Sequence, residues 1–60
     1  MPAEFEIKKN KAGKHFWHFK SGNGEIVAVS EAYESKQGAI NGINSIKRDA
    51  QDAPIHDMAK

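Results

Sequence analysis

Three aromatic residues fall within four positions of the stretch Lys14-His15-Phe16-Trp17-His18-Phe19-Lys20, which holds the only Trp and two of the three Phe of the chain. Bulky rings at this density fit a pleated, half-buried surface better than a helix, so the stretch reads as a β-strand. Alternation then puts His15, Trp17 and Phe19 on one face and Phe16 and His18 on the other. A strand with Trp17 and Phe19 side by side must be covered, and the rest of the chain is expected to be built against them.

The flanking residues supply that cover. Glu4-Phe5-Glu6-Ile7-Lys8 alternates, with Phe5 and Ile7 one way and Glu4, Glu6 and Lys8 the other, as in a half-buried strand. Asn10-Lys11-Ala12-Gly13 follows. Asn suits the first position of a type I turn, and Gly suits the left-handed residue that closes it. A three-residue loop of this kind sets Asn10 opposite Lys14, Ile7 opposite Trp17 and Phe5 opposite Phe19, so turn chemistry and hydrophobic pattern give one register. Ser21-Gly22-Asn23-Gly24 marks a second hairpin leading into Glu25-Ile26-Val27-Ala28-Val29-Ser30. A two-residue Asn23-Gly24 turn pairs Phe19 with Ala28. A four-residue loop pairs Phe19 with Ile26 and Lys20 with Glu25. Both place Ile26 and Ala28 on the Trp17 face, and Val27, Val29 and Phe16 on a second face that is therefore expected to be partly covered.

After the connection Glu31-Ala32-Tyr33-Glu34 the apolar spacing becomes helical. Ser35 is the expected N-cap, without a capping box because Gly38 stands where Glu or Gln would reach back. Ala39, Ile43, Ile46 and Ala50 form one stripe with Ile40 on its flank. Lys47 and Arg48 suit the negative end of the helix dipole, and Asp52-Ala53-Pro54 stops the helix. Gly38 and Gly42 inside it read either as tolerated or as points of close approach to the sheet or to a second helix. Ile55-His56-Asp57-Met58 can form a short fourth strand with Ile55 and Asp57 on one face. Pro54, which cannot donate to a ladder, fits its entry.

Sixty residues allow one domain, spanning 1–60 with a core from about 4 to 58, and a lone domain of that size is marginal. Disulfides are excluded because there is no Cys, so a partner chain is the remaining device. That composition also suits a cytoplasmic location. A formal charge of +1 is no footprint for nucleic acid or an acidic membrane, and no apolar run is long enough to span a bilayer. Met1 to Phe5 lacks the basic and apolar segments of a signal peptide.

Recognisable chemistry is sparse. His15 and His18, three apart on a strand, point to opposite faces and cannot chelate one metal, and no third ligand stands nearby. No nucleophile sits beside a base held by a third group. Glu4 and Glu6 share a face but lack a cleft, and the glycine turns lead into strands, not a phosphate-binding helix N-terminus. No catalytic residue, cofactor or metal is therefore expected. The one binding pattern is a set of lysines around aromatics on the outer face: Lys8, Lys14, Phe16, His18 and Lys20. Such a face can stack bases of single-stranded nucleic acid, although Glu4, Glu6 and Glu25 lie on it too and favour an ordinary solvated surface.

The order and spacing of Phe5-Glu6-Ile7, Gly13, Trp17-His18-Phe19-Lys20, Asn23-Gly24-Glu25-Ile26-Val27-Ala28, Ser30-Glu31-Ala32-Tyr33, Ser35-Lys36, Ile40-Asn41-Gly42-Ile43 and Ile46-Lys47 resemble the YegP-like family of small bacterial domains of unknown function. The likeness runs from about Phe5 to Asp57. It departs at His15-Phe16, where an aromatic-then-basic pair is more usual, and at Ala32, a common glycine. The resemblance implies an α+β fold built as a β-β-β-α-β unit, with an antiparallel sheet and one helix packed on one face. It implies that two units form a continuous sheet with exchanged C-terminal strands, hence a homodimer for a one-unit chain. Gly42, Pro54, Ile55 and Met58 are then the candidate dimer contacts. No site residues come with the family, so the functional expectation is a structural or interaction module, with single-stranded nucleic-acid binding as the alternative.

Overall fold

A computed structural model describes residues 2–59; Met1, part of the N-terminal reading above, lies outside them. Three antiparallel strands in the order β1 (Glu4–Lys9), β2 (His15–Lys20) and β3 (Ile26–Val29) are followed by helix α1 (Lys36–Asp49) and a 3-10 turn, Ala50–Asp52. The first hairpin has the expected register, with Ile7 opposite Trp17 and Phe5 opposite Phe19. Its turn is closed by Asn10, whose Oδ1 accepts from the backbone N–H of Ala12 and of Lys14, both at 3.0 Å. Gly13 takes φ +83°, a left-handed conformation that side chains disfavour.

The second turn repeats this design and is neither of the two loops expected. Gly24 takes φ +88° and donates to the Ser21 carbonyl, while Ser21 N–H donates to Glu25 C=O at 2.9 Å, making a three-residue loop. Continued unchanged, that register would set Val27 opposite Phe19. Instead Lys20 pairs with Ile26, Phe19 with Ala28 and His18 with Val29, so the ladder shifts by one residue at Val27. The irregularity restores Ala28 to the Trp17 face. Ile26 is thereby registered opposite Lys20 and is half exposed, contrary to its expected place on the Trp17 face.

At Ser30 the strand turns away, and its side chain completes the ladder. Trp17 N–H donates to Ser30 Oγ at 2.9 Å, and Ser30 N–H donates to the Trp17 carbonyl. Tyr33 then returns to pair with the start of β2, exchanging two backbone hydrogen bonds with His15. Ser35 caps α1 as expected, its Oγ accepting from Gly38 N–H at 3.0 Å. The helix lies over β1 and β2 and leaves β3 uncovered. Trp17, Ala39 and Ile43 form the buried core, ringed by Phe5, Ile7, Phe19 and Tyr33. Phe5 stands edge-on to Trp17 at 5.3 Å.

Gly42 is a point of close approach, but to Tyr33 of the same chain. A Cβ on Gly42 would run into the Tyr33 hydroxyl and lie 2.9 Å from Cζ. This gives Gly42 a reason that needs no second subunit. Ala is ordinarily favoured over Gly in a helix by about 1 kcal/mol, whereas forcing a ring aside costs about 1–3 kcal/mol. Gly42→Ala should therefore lower stability in the native background and raise it in a Tyr33→Ala background. Urea unfolding of the four proteins checks this reversal of sign.

The α-helix gives way to the 3-10 turn before Pro54, and Ala53 is extended at φ −71°, ψ 127°. The fourth strand expected over Ile55 to Met58 does not form within the single chain. Ile55 and Met58 are 95% and 85% exposed, and no element is assigned to residues 53–59. A strand needs a neighbour to satisfy its backbone groups, and this segment pairs with neither edge of its own sheet. The observed fold is α+β with three strands and one helix.

Candidate functional site

Three surfaces can bear function: the outer face of the sheet and two grooves between sheet and helix. On the outer face Phe16 and His18 are neighbours, ring centroids 5.3 Å apart and inclined by 62°, so Phe16 is half-buried edge-on against imidazole. Lys8 is registered opposite Phe16. Lys20 reaches Glu6 at 3.4 Å and Lys14 reaches Glu34 at 3.0 Å. Lys8, Phe16, His18 and Lys20 thus lie on the sheet while Lys14 sits just before β2, and two of the three lysines are neutralised by carboxylates. Val27 and Val29 are more than half exposed, so β3 has no cover within the chain.

Glu4 and Glu6 border a depression of about 240 Å³ with Lys20 and Ser21. The Glu6 carboxyl is held below its ordinary value of 4.5, first by hydrogen bonding with the Glu4 side chain. The hydrogen bond and charge of Lys20 and the charge of Lys8 act the same way, against some desolvation. An acid that must hold a proton near neutral pH needs the opposite shift. A lowered carboxyl contributes stability above its unfolded value and loses it as pH falls through the folded value. Wild type should therefore melt above Glu6→Gln at neutral pH, and the two melting curves should converge below pH 4.5. Thermal melts between neutral and acid pH check this.

The first groove lies where the lower half of the helical stripe parts from the sheet. Phe5, Trp17, Phe19, Ala28, Ile46 and Ala50 give it an apolar lining, and its volume is about 460 Å³. Lys47 closes over the Phe5 ring at 5.9 Å. Ile46, expected in the core stripe, is 46% exposed for this reason. The second groove, of about 650 Å³, runs beside β1 and is lined by Ile7, Lys9, His15, Lys36 and Ile40 together with Phe5 and Lys8. Sequence reading missed both. The one trace of the second is that Lys36 and Ile40, four apart, share a helix face with Lys9 and Ile7 across from them.

His15 and His18 are registered against Lys9 and Glu6 on opposite faces of the sheet. Among the described residues no three His, Cys, Asp or Glu side chains gather as a metal would require. No helix among them is long and apolar enough to cross a membrane. Pro54, Ile55 and Met58 lie exposed in the segment after the 3-10 turn, and Gly42 lies within α1.

Residues 10–57 match the model of a domain of unknown function, DUF1508. The chain is 49% identical over 55 residues to a UPF0339 protein of Treponema denticola, covering 92% of this chain and 95% of that one. It is 40% identical over 52 residues to the UPF0339 protein in the ptx operon 5' region of Stutzerimonas stutzeri, covering 87% of this chain but only 47% of the relative. Among solved structures, a Haloferax volcanii protein determined by NMR in solution superimposes with a TM-score of 0.82 at 43% identity, over 92% of this chain and 93% of that one. An Agrobacterium tumefaciens protein does so with a TM-score of 0.78 at 43% identity, over 93% and 90%. On these matches the chain belongs to the DUF1508 family, the YegP-like or UPF0339 proteins, a family of domains of unknown function.

Proposed function

We propose that this chain is a homodimeric interaction module in which each copy lends residues 54–58 to the sheet of the other, and that it carries out no catalysis. The observation that carries the reading is the contrast between core and tail. Among the described residues three are buried, while Ile55 and Met58 lie almost fully exposed on a segment that belongs to no strand or helix. A three-stranded sheet has two open edges, and an unpaired edge is a ready template for a strand from another chain. Exchange of identical elements closes such a pair with two-fold symmetry. The Stutzerimonas relative, of which this chain spans about half, has room for two such units in one polypeptide.

Single-stranded nucleic acid on Phe16 and His18 has less support. Lys14 and Lys20 are engaged by Glu34 and Glu6, and the rings meet edge to face and do not lie open for stacking. An isotope-filtered NOE experiment on a mixture of labelled and unlabelled protein tests the dimer. Intermolecular contacts from Ile55 to the sheet of the other copy are expected. A spectrum in which Ile55 contacts only its own chain, or nothing, would refute the exchange.

A further inference from the structure

The groove beside β1 combines an apolar floor with a cationic wall. Ile7 and Ile40 supply the first and Lys9 and Lys36 the second, with His15 beside them. No carboxylate lines it, and among the described residues neither Lys9 nor Lys36 has an acidic partner within 4.0 Å, whereas Lys14, Lys20 and Arg48 each have one. β1 is an edge of the sheet, so the groove lies along a row of unpaired backbone groups.

The tail carries the matching pattern. In an extended strand Ile55 and Asp57 point the same way, about 6.6 Å apart, the same spacing that separates Ile7 from Lys9. Asp57 has no cationic partner among the described residues and accepts only the N–H of Ala59 within its own tail. We propose that the groove beside β1 seats residues 54–58 of a second copy, with Ile55 between Ile7 and Ile40 and the Asp57 carboxylate between Lys9 and Lys36. This rests on the homodimer reading and names the edge and the charge pair that it uses. The groove on the β3 side fits less well. Its lining is almost wholly apolar with Lys47 as its one cation, and a carboxylate carried there would lose hydration for little return.

The pairing is testable by exchanging charge between chains. Asp57→Lys sets like charges together in one homodimer, and the double substitution Lys9→Asp, Lys36→Asp does so in another. Each alone should dimerise at least about tenfold more weakly than wild type, since like charges across an interface are costly. An equimolar mixture should recover the dimer, because each tail then meets a groove of opposite sign. All three positions are exposed, and should a variant alone lose its fold, recovery of structure on mixing supports the same pairing. An Asp57→Lys protein that dimerises as wild type does would overturn the pairing while leaving the homodimer standing. Weakening of both variants without recovery on mixing would place Asp57 against its own chain and overturn it as well. A wild type that sediments as a monomer throughout would remove the homodimer and this pairing with it.

Discussion

Trp17→Ala should leave the protein unfolded or nearly so at room temperature. Trp17 is 6% exposed and is the largest side chain of the core. Phe5 meets it edge-on at 5.3 Å, and Ala39, wholly buried, lies in the same cluster. Truncating a buried aromatic of this size costs about 3–5 kcal/mol. A domain whose buried core is Trp17, Ala39 and Ile43 among the described residues has little more than that to lose, since whole domains are stable by only about 5–15 kcal/mol. Urea denaturation followed by circular dichroism checks the loss. Phe16→Ser, on the outer face, should be milder. Equal damage from both would mean that the sheet is covered on both sides.

Truncation after Ala53 should remove the dimer and a large part of the stability in one step. It deletes no residue of the core of the single chain, so a chain that functions alone would scarcely notice. If Ile55 is buried in the partner, each copy forfeits roughly 1.5–3 kcal/mol for that side chain, and more with Met58. In a domain of this size a loss of about 3 kcal/mol corresponds to a melting temperature lower by roughly 10–20 °C. Sedimentation velocity and thermal melts of the truncated protein check both halves of this result. A truncated protein as stable as the full chain would show that the tail has no structural partner.

The first hairpin was legible in the sequence because two independent signals coincide. Asn10 and Gly13 specify the turn, and the alternation of Phe5, Ile7, Trp17 and Phe19 specifies the same register. The second hairpin was not, for a physical reason. Its shift occurs in Ile26-Val27-Ala28-Val29, where every residue is apolar, so sliding by one position leaves no polar residue misplaced to mark the error. Gly42 was legible as a close approach but not in its partner, since Tyr33 comes from an irregular connection whose return to β2 no periodicity announces. The helix and its Ser35 cap followed from spacing and hydroxyl chemistry. The fourth strand did not form because a strand is not a property of its own residues alone. The grooves were invisible for a related reason, as they arise from where α1 lies, over β1 and β2 but not β3.

Folding linked to association carries a signature that no monomer can imitate, namely a melting temperature that rises with protein concentration. Sedimentation velocity and thermal melts of the wild-type chain, taken together over about a hundredfold range in the micromolar region, read it directly. A sedimenting species of two chains, with a melting temperature that climbs by several degrees across the range, is the expected result. A single-chain species with the same melting temperature at every concentration would contradict it.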